Sequence, residues 1–475
     1  MHVVVVGGGI SGLAGAYRLR RLLGCAARIT VVEQATAAGG KLRTVPLAGV
    51  PYDVGAEAFL VRRPEALALV RELGLAGGLV HPGPAAAQVR FDGRCAPLPA
   101  RTVLGVPAGA DDLDGLLSPA GLAMVRAEPS KPMRWDGADV AVGPLVAERL
   151  GVEVATRLVD PLLGGVYAAR AETLGLRPTM PPLAAALDAL AAAGRPPSLL
   201  SAAALALSAG GGTGGPLFGA LRGGMSVLVE TLVRAASAEQ RLGLPVRGLA
   251  RTANGWRLEI GAAPAPEHLD ADGVLLAVPP PALRRLLAPL HPAASAAAAG
   301  IDVASSVIVS LALPRTVRLP SSSGVLVATG EPLSSKAFTY STVKWPHLDT
   351  GATVLRASLG RHGEPATLRA DDAELVRLVR RDLAELTGIT AAPADTVVTR
   401  WGGGLPQYAV GHLDRVAAIE AGVAELPRLA VAGAALHGIG IPACIATADA
   451  AAHRLAAQLT RTDAPAFGDD VTSPH

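Results

Sequence analysis

At ~150 residues per domain, 475 residues allow about three domains, or two with one of them large. Hydrophobic residues make up 50% of the chain and charged residues 17%, which excludes the composition of a disordered protein. Aromatics at 3% and a formal net charge of +3 argue against a nucleic-acid-binding surface. The cysteines Cys25, Cys95 and Cys444 are odd in number and far apart, so they fit neither a disulfide framework nor a zinc site and point to a reducing compartment. Met1-His2 leads straight into a short apolar strand, so no signal peptide is expected. The longest apolar stretches, Leu183–Ala193 and Leu199–Ala209, fall short of the ~20 residues of a spanning helix. A cytoplasmic location is expected, with peripheral membrane contact left open.

In chain order, the β-branched run Val3–Val6 predicts a strand, Ser11–Leu23 a helix and Arg28–Glu33 a second strand, together a βαβ unit. A helix over Pro64–Leu73 and a strand over Gln88–Phe91 follow. Helical spacing then dominates from Gly115 to Leu207, with Val140–Leu150, Val152–Leu163 and Leu183–Ala193 as candidates. The glycine-rich tract Ala209–Pro216 marks a boundary. Beyond it come helix Met225–Ala238, strands Val246–Thr252, Trp256–Ile260 and Val274–Val278, and a break at Pro279-Pro280-Pro281. The segments Val307–Leu313, Val325–Ala328, Ala337–Lys344 and Val354–Leu359 are spaced like an antiparallel sheet. Helix Ala373–Leu386, strands Val397–Trp401 and Leu429–Ala432, helix Ala443–Leu459 and a disordered polar tail complete the chain.

Gly7-x-Gly9-x-x-Gly12 sits between the first strand and the first helix. Gly7 allows the tight turn, Gly9 lets backbone approach a pyrophosphate, and Gly12 permits close packing of helix on strand. Gly8, Ile10 and Ser11 complete the turn, and the helix N-terminus faces the anion. Glu33 closes the second strand about 20 residues on, where an acid accepts from ribose hydroxyls. A dinucleotide is expected. Gly39-Gly40-Lys41-Leu42-Arg43 resembles the continuation found in FAD-binding amine-oxidase-like flavoproteins, with Lys41 and Arg43 near the pyrophosphate or flavin. Tyr52-Asp53-Val54-Gly55-Ala56-Glu57 resembles their flavin-contacting strand.

From Met1 to about Leu459 the chain resembles the protoporphyrinogen/coproporphyrinogen oxidase family of FAD enzymes in haem biosynthesis. Asp160-Pro-Leu-Leu-Gly-Gly-Val-Tyr-Ala168 followed by Leu174-Gly-Leu-Arg177 is similar to its central signature. Arg222-Gly-Gly-Met225 with Leu228, Pro406-Gln-Tyr408 with Gly411-His412, and Gly438-Ile-Gly-Ile-Pro-Ala-Cys-Ile445 match three more. Lys344-Trp-Pro-His347 resembles a tetrapeptide of the Gram-positive members, which oxidise coproporphyrinogen III to coproporphyrin III.

The resemblance implies an α/β fold: a Rossmann-type FAD-binding domain (1–80, 216–290, 395–460), an antiparallel-sheet substrate domain (81–110, 291–394) and a helical insert (111–209), with a connection at 210–215 and a tail at 461–475. It implies three two-electron oxidations of a porphyrinogen, with dioxygen reoxidising the flavin and hydrogen peroxide released. FAD contacts are expected from Gly7 to Gly12, Glu33, Gly40, Lys41, Val54 to Glu57, Val246, Trp401, Gly433, Ile439, Gly440 and Ile441. Val246 lies on the strand whose backbone meets adenine. A tetrapropionate substrate needs cations, and Lys344 with His347, then Arg170 and Arg177, are the candidates. No catalytic residue and no metal is assigned. An arginine that many members carry falls near Ala87, with Arg90 the nearest basic residue, which leaves the propionate anchor open. Protoporphyrinogen oxidation, amine oxidation, carotenoid desaturation and a catalytically silent FAD-binding partner of ferrochelatase stay open beside the main reading, as does transient contact of an active enzyme with ferrochelatase. An amine oxidase would carry an aromatic pair flanking the flavin, for which the C-terminal region offers Trp401 and Tyr408.

Overall fold

A computed structural model describes residues 1–209 and 215–461. Apart from Gly215 and Arg461, the glycine-rich connection and the tail expected to be disordered lie outside the described residues. Five parallel strands form the central sheet in the order Glu239–Arg241, Arg28–Val32, His2–Val6, Gly273–Leu276, Leu429–Val431. The strands His2–Val6, Gly273–Leu276 and Leu429–Val431 are almost wholly apolar because both faces are covered, whereas the edge strand Glu239–Arg241 is polar and partly exposed. Val3 and Val5 pack with helices Ile10–Leu23, Ser226–Ala236 and Ile441–Thr460. Val4 and Val6 point the other way, toward the three-stranded sheet of Val246–Thr252, Gly255–Ile260 and Glu267–Ala271 and the helices Pro280–Leu287, Pro292–Ala299 and His412–Ala424.

A seven-stranded sheet runs Asp395–Pro406, Val303–Leu313, Thr353–Leu359, Ser335–Thr339, Gly324–Val327, Ala87–Phe91, Arg94–Pro97. It is antiparallel except where Gly324–Val327 meets Ala87–Phe91. Val307, Val309, Leu311, Leu355 and Ala357 press one face onto Leu375, Val379 and Leu383 of helix Asp372–Thr387. That helix is capped by the Asp371 side chain, which accepts from the Glu374 N–H at 2.8 Å, and ends at Gly388 with φ 74°. The helical insert packs its own core around Val146, Leu158, Leu163, Leu183 and Leu187. Among the described residues no helix is long and apolar enough to cross a membrane.

Four expectations change. The helix expected over 152–163 is present but irregular and longer: helical backbone runs from Val152 to Tyr167 and widens into a π-helical turn at Ala155–Val159. Pro161 has no N–H to continue the ladder, which accounts for the wide turn before it. The strand expected at 337–344 stops at Thr339, and Ser341–Lys344 forms a helical turn instead. The Pro279-Pro280-Pro281 break starts a helix, since proline suits the first helical positions. Residues 395–406, grouped above with the FAD-binding unit, are the edge strand of the seven-stranded sheet.

One buried ion pair holds the insert together. Glu128 is fully buried and bonds Arg149 at 2.9 Å, while the same carboxylate accepts the Leu199 and Leu200 N–H groups that open helix Leu199–Ala209. Removing one partner leaves an uncompensated buried charge. Arg149→Met is therefore expected to destabilise the insert by ~3–5 kcal/mol, read as a lowered urea midpoint; an unchanged midpoint would show that the pair is dispensable.

Candidate FAD site

The glycine turn at 7–12 is shaped by what its missing side chains allow. Gly7 has φ 105°, and a β-carbon there would run into the Ala277 carbonyl; one on Gly12 would run into the Gly7 carbonyl. Gly9 has no heavy atom within 4 Å of where its β-carbon would stand, so its backbone borders open space. Ile10 and Ser11 form the buried first turn of helix Ile10–Leu23. That helix has neither a side-chain cap nor an acid in its first turn, and the same holds for helix Ile441–Thr460, whose N-cap is Gly440. Gly15 lies opposite Ala448, and Ser11 meets Cys444, so the two helices run in parallel. Two uncapped N-termini thus open side by side, an arrangement that suits an anion.

Glu33 is fixed beside this turn. Its Oε2 accepts from the Gly8 N–H and its Oε1 from the Ala35 N–H, both at 2.7 Å, and each oxygen keeps a further lone pair. The Leu244 N–H donates to the Glu33 carbonyl at 3.0 Å, which brings Val246 alongside; Val246 itself is buried, and its carbonyl accepts from Arg285 at 2.8 Å. The second glycine pair docks on the first: the Gly39 N–H donates to the Gly8 carbonyl at 2.8 Å, and a β-carbon on Gly40 would stand 3.1 Å from Gly9 Cα. Gly433, at φ 134°, is open like Gly9, and Ile439 lies in the loop before Gly440.

From Lys41 the chain runs beside the segment 54–57. The Lys41 carbonyl accepts the Ala56 N–H at 2.9 Å, leaving no room for a β-carbon on Gly55, and the Trp401 indole donates to the Val54 carbonyl at 2.9 Å. Glu57 is bracketed by Lys344 Nζ at 2.7 Å and Arg356 Nη2 at 3.1 Å. Arg356 also donates to the Gly55 carbonyl at 2.8 Å. Burial alone would raise the Glu57 carboxyl, but the guanidinium of Arg356 and the ammonium of Lys344 outweigh it and hold it at about 2. Asp53, which lacks such a pair, is pushed by burial up to about 6 even though Thr44 and the Met225 N–H donate to it.

The residues expected at the substrate are already engaged. Lys344 belongs to Glu57, Arg170 pairs with Glu364 at 3.0 Å, and Arg177 forks onto Asp188 at 2.8 and 3.0 Å. Arg90 bridges Glu331 and Glu385. Each of these cations thus has a carboxylate partner within the protein, which a propionate would have to share or displace. His347 is half-buried against Trp345, and burial, then the Arg222 charge, lowers its pKa. Arg356 carried no signal in the sequence beyond a charge inside the apolar strand Thr353–Leu359.

The residues present fit FAD: an open backbone at Gly9 and Gly433, two uncapped helix N-termini for the pyrophosphate, and an oriented carboxylate at Glu33 for a ribose. The model of the family described as flavin containing amine oxidoreductase matches residues 10–456. The chain is 44% identical over 460 residues to a coproporphyrinogen III oxidase of Mycobacterium leprae, covering 96% of this chain and 98% of the relative, and 34% identical to one of Propionibacterium freudenreichii, covering 94% and 89%. A solved structure from Exiguobacterium sp. 255-15, provisionally named a protoporphyrinogen oxidase, superposes with a TM-score of 0.84 at 30% identity, covering 96% and 98%. The chain belongs to the flavin containing amine oxidoreductases and, among them, to the protoporphyrinogen oxidase family; it is an FAD-dependent oxidase.

The Glu57 cluster gives a pH signature. A carboxyl held from 4.5 down to about 2 contributes about 3 kcal/mol of stability at neutral pH, present above 4.5 and lost as the pH falls toward 2. The gap in urea midpoint between wild type and Glu57→Gln is expected to stay level from neutral pH to about 5 and to close below 4.5. A gap that does not depend on pH would remove the ion pairs from the explanation.

Proposed function

We propose that the chain oxidises coproporphyrinogen III to coproporphyrin III in haem biosynthesis, with dioxygen as acceptor and hydrogen peroxide as by-product. The observation that carries this reading is the near full-length identity to relatives of that activity, joined to a site whose residues fit FAD. Bound FAD supplies a two-electron oxidant, and porphyrinogen requires three such oxidations.

The protein's own tasks are placement and charge. The N–H groups that open helices Ile10–Leu23 and Ile441–Thr460 would hold the pyrophosphate, Glu33 the adenosine ribose, and the backbone at Val246 the adenine. Gly40, Lys41 and the segment Val54 to Glu57 would border the flavin, with Trp401 supporting Val54 from behind. No side chain is assigned to proton transfer. On the same footing we propose that residues 1–80, 216–290 and 407–460 form the FAD-binding unit, and 81–110 with 291–406 the substrate unit.

Protoporphyrinogen IX is the second reading, favoured by the pairing of Lys344, Arg170 and Arg177 with protein carboxylates, which leaves fewer cations for a tetrapropionate rim. Purified holoenzyme mixed with each porphyrinogen in air decides between them: coproporphyrin fluorescence is expected to rise at least about tenfold faster per enzyme. Equal rates, or a preference for protoporphyrinogen IX, would overturn the primary reading. Glu33→Ala is expected to raise the FAD dissociation constant about 10- to 150-fold through lost charge-assisted hydrogen bonds, as measured by equilibrium dialysis; unchanged retention would dismiss Glu33 as the ribose ligand. Lys344→Met is expected to lower the melting temperature and to slow both substrates alike, because it strips Glu57 of a partner. A loss confined to coproporphyrinogen III would make Lys344 a propionate anchor after all.

A further inference from the structure

We infer that Tyr408 is a positioning residue whose hydroxyl sets the shape of the loop from Ala434 to Gly438, and through it the place of Ile439, Gly440 and the last helix's N-terminus at the flavin. This rests on the proposed contact of that loop with FAD. The Tyr408 hydroxyl donates to the Ala434 carbonyl at 2.7 Å and accepts from the Gly438 N–H at 2.8 Å, so one atom ties both ends of the loop. Between those ends, His412 Nε2 donates to the Leu436 carbonyl at 3.1 Å. Burial pushes the His412 pKa down to about 4, which keeps the ring neutral. The loop is bounded by Gly433 at φ 134° and Gly438 at φ 137°, conformations that need glycine, and the Gly433 N–H is held by Thr447 at 3.1 Å.

Tyr408 is itself fixed from three sides. It is 1% exposed, its ring stacks on His412 at 3.8 Å, and Tyr167 of the central signature lies 5.4 Å away on a tilted plane. Its carbonyl accepts the Gly175 N–H at 2.8 Å. Residues from the helical insert thus hold a tyrosine that in turn holds the flavin-side loop. Deleting the hydroxyl leaves one backbone donor and one acceptor without a partner, and the loop must move to satisfy them.

Tyr408→Phe keeps the ring and removes the clamp. In the holoenzyme it is expected to shift the visible flavin absorption bands, to raise the FAD dissociation constant about tenfold, and to lower kcat while KM for the porphyrinogen stays within about twofold. Gly440→Val is measured beside it. The N-cap backbone there is extended and a β-carbon would meet only Pro442 within 4 Å, so the fold has room for a branched side chain, whereas FAD in the proposed position would not. Gly440→Val losing FAD while Tyr408→Phe keeps the wild-type spectrum and affinity would overturn the clamp alone. Gly440→Val retaining FAD would overturn the loop's placement and the clamp with it. Should Tyr408→Phe fail to fold, His412→Phe keeps a stacking ring and deletes the bond to Leu436; a smaller shift of the same kind is expected, and an unshifted spectrum would overturn the proposal.

Discussion

A carboxylate with almost no access to water must be neutralised where it stands, and Glu57 is that carboxylate. Its side chain is 11% exposed and meets two cations, Lys344 and Arg356, both contributed by the seven-stranded sheet and the turn that follows one of its strands. Breaking such a pair by removing one member is costly, because the survivor keeps its desolvation penalty without its compensation. The constraint runs outward from there. Arg356 also holds the Gly55 carbonyl, Trp401 holds the Val54 carbonyl, and the Lys41 carbonyl holds the Ala56 N–H. Four residues of one short segment are therefore pinned, by nearby Lys41 and by groups from three distant elements, the turn Ser341–Lys344 and the strands Thr353–Leu359 and Asp395–Pro406.

The other end of the site depends on backbone. Two helices in parallel register leave their first N–H groups without side-chain caps, on a surface that glycines keep open. A helix end without partners is costly unless something supplies them, and a diphosphate can. On the proposed placement of FAD, a rigid, charge-locked wall would stand at the flavin and an anion cradle at the pyrophosphate.

The parts of this site that were legible in the sequence are local. Gly7, Gly9, Gly12 and Glu33 sit within one βαβ unit, where strand, turn and helix fix the spacing, and the apolar runs of the parallel strands announce that both sheet faces are covered. What escaped depends on contacts across the chain. Lys344 looked like a free cation because Glu57, its partner, lies 287 residues away. Arg170 looked available for the same reason, its partner Glu364 lying 194 residues away, whereas the partner of Arg177, Asp188, is only 11 residues on and is brought to it by the turn between two helices of the insert. Arg356 is an unremarked charge in an apolar strand until the fold brings it to Glu57. Pro161 and the run Pro279 to Pro281 were read in opposite ways, the first ignored inside a helix and the second taken as a stop. Proline's missing N–H explains both the π turn before Asp160 and the helix that begins at Pro280.

The most direct measurement is the reductive half-reaction without oxygen. Holoenzyme mixed anaerobically with coproporphyrinogen III is expected to lose its visible flavin absorbance as coproporphyrin forms, and to keep that absorbance when mixed with a monoamine. Bleaching by the monoamine alone, or by neither compound, would contradict a porphyrinogen oxidase built on this site.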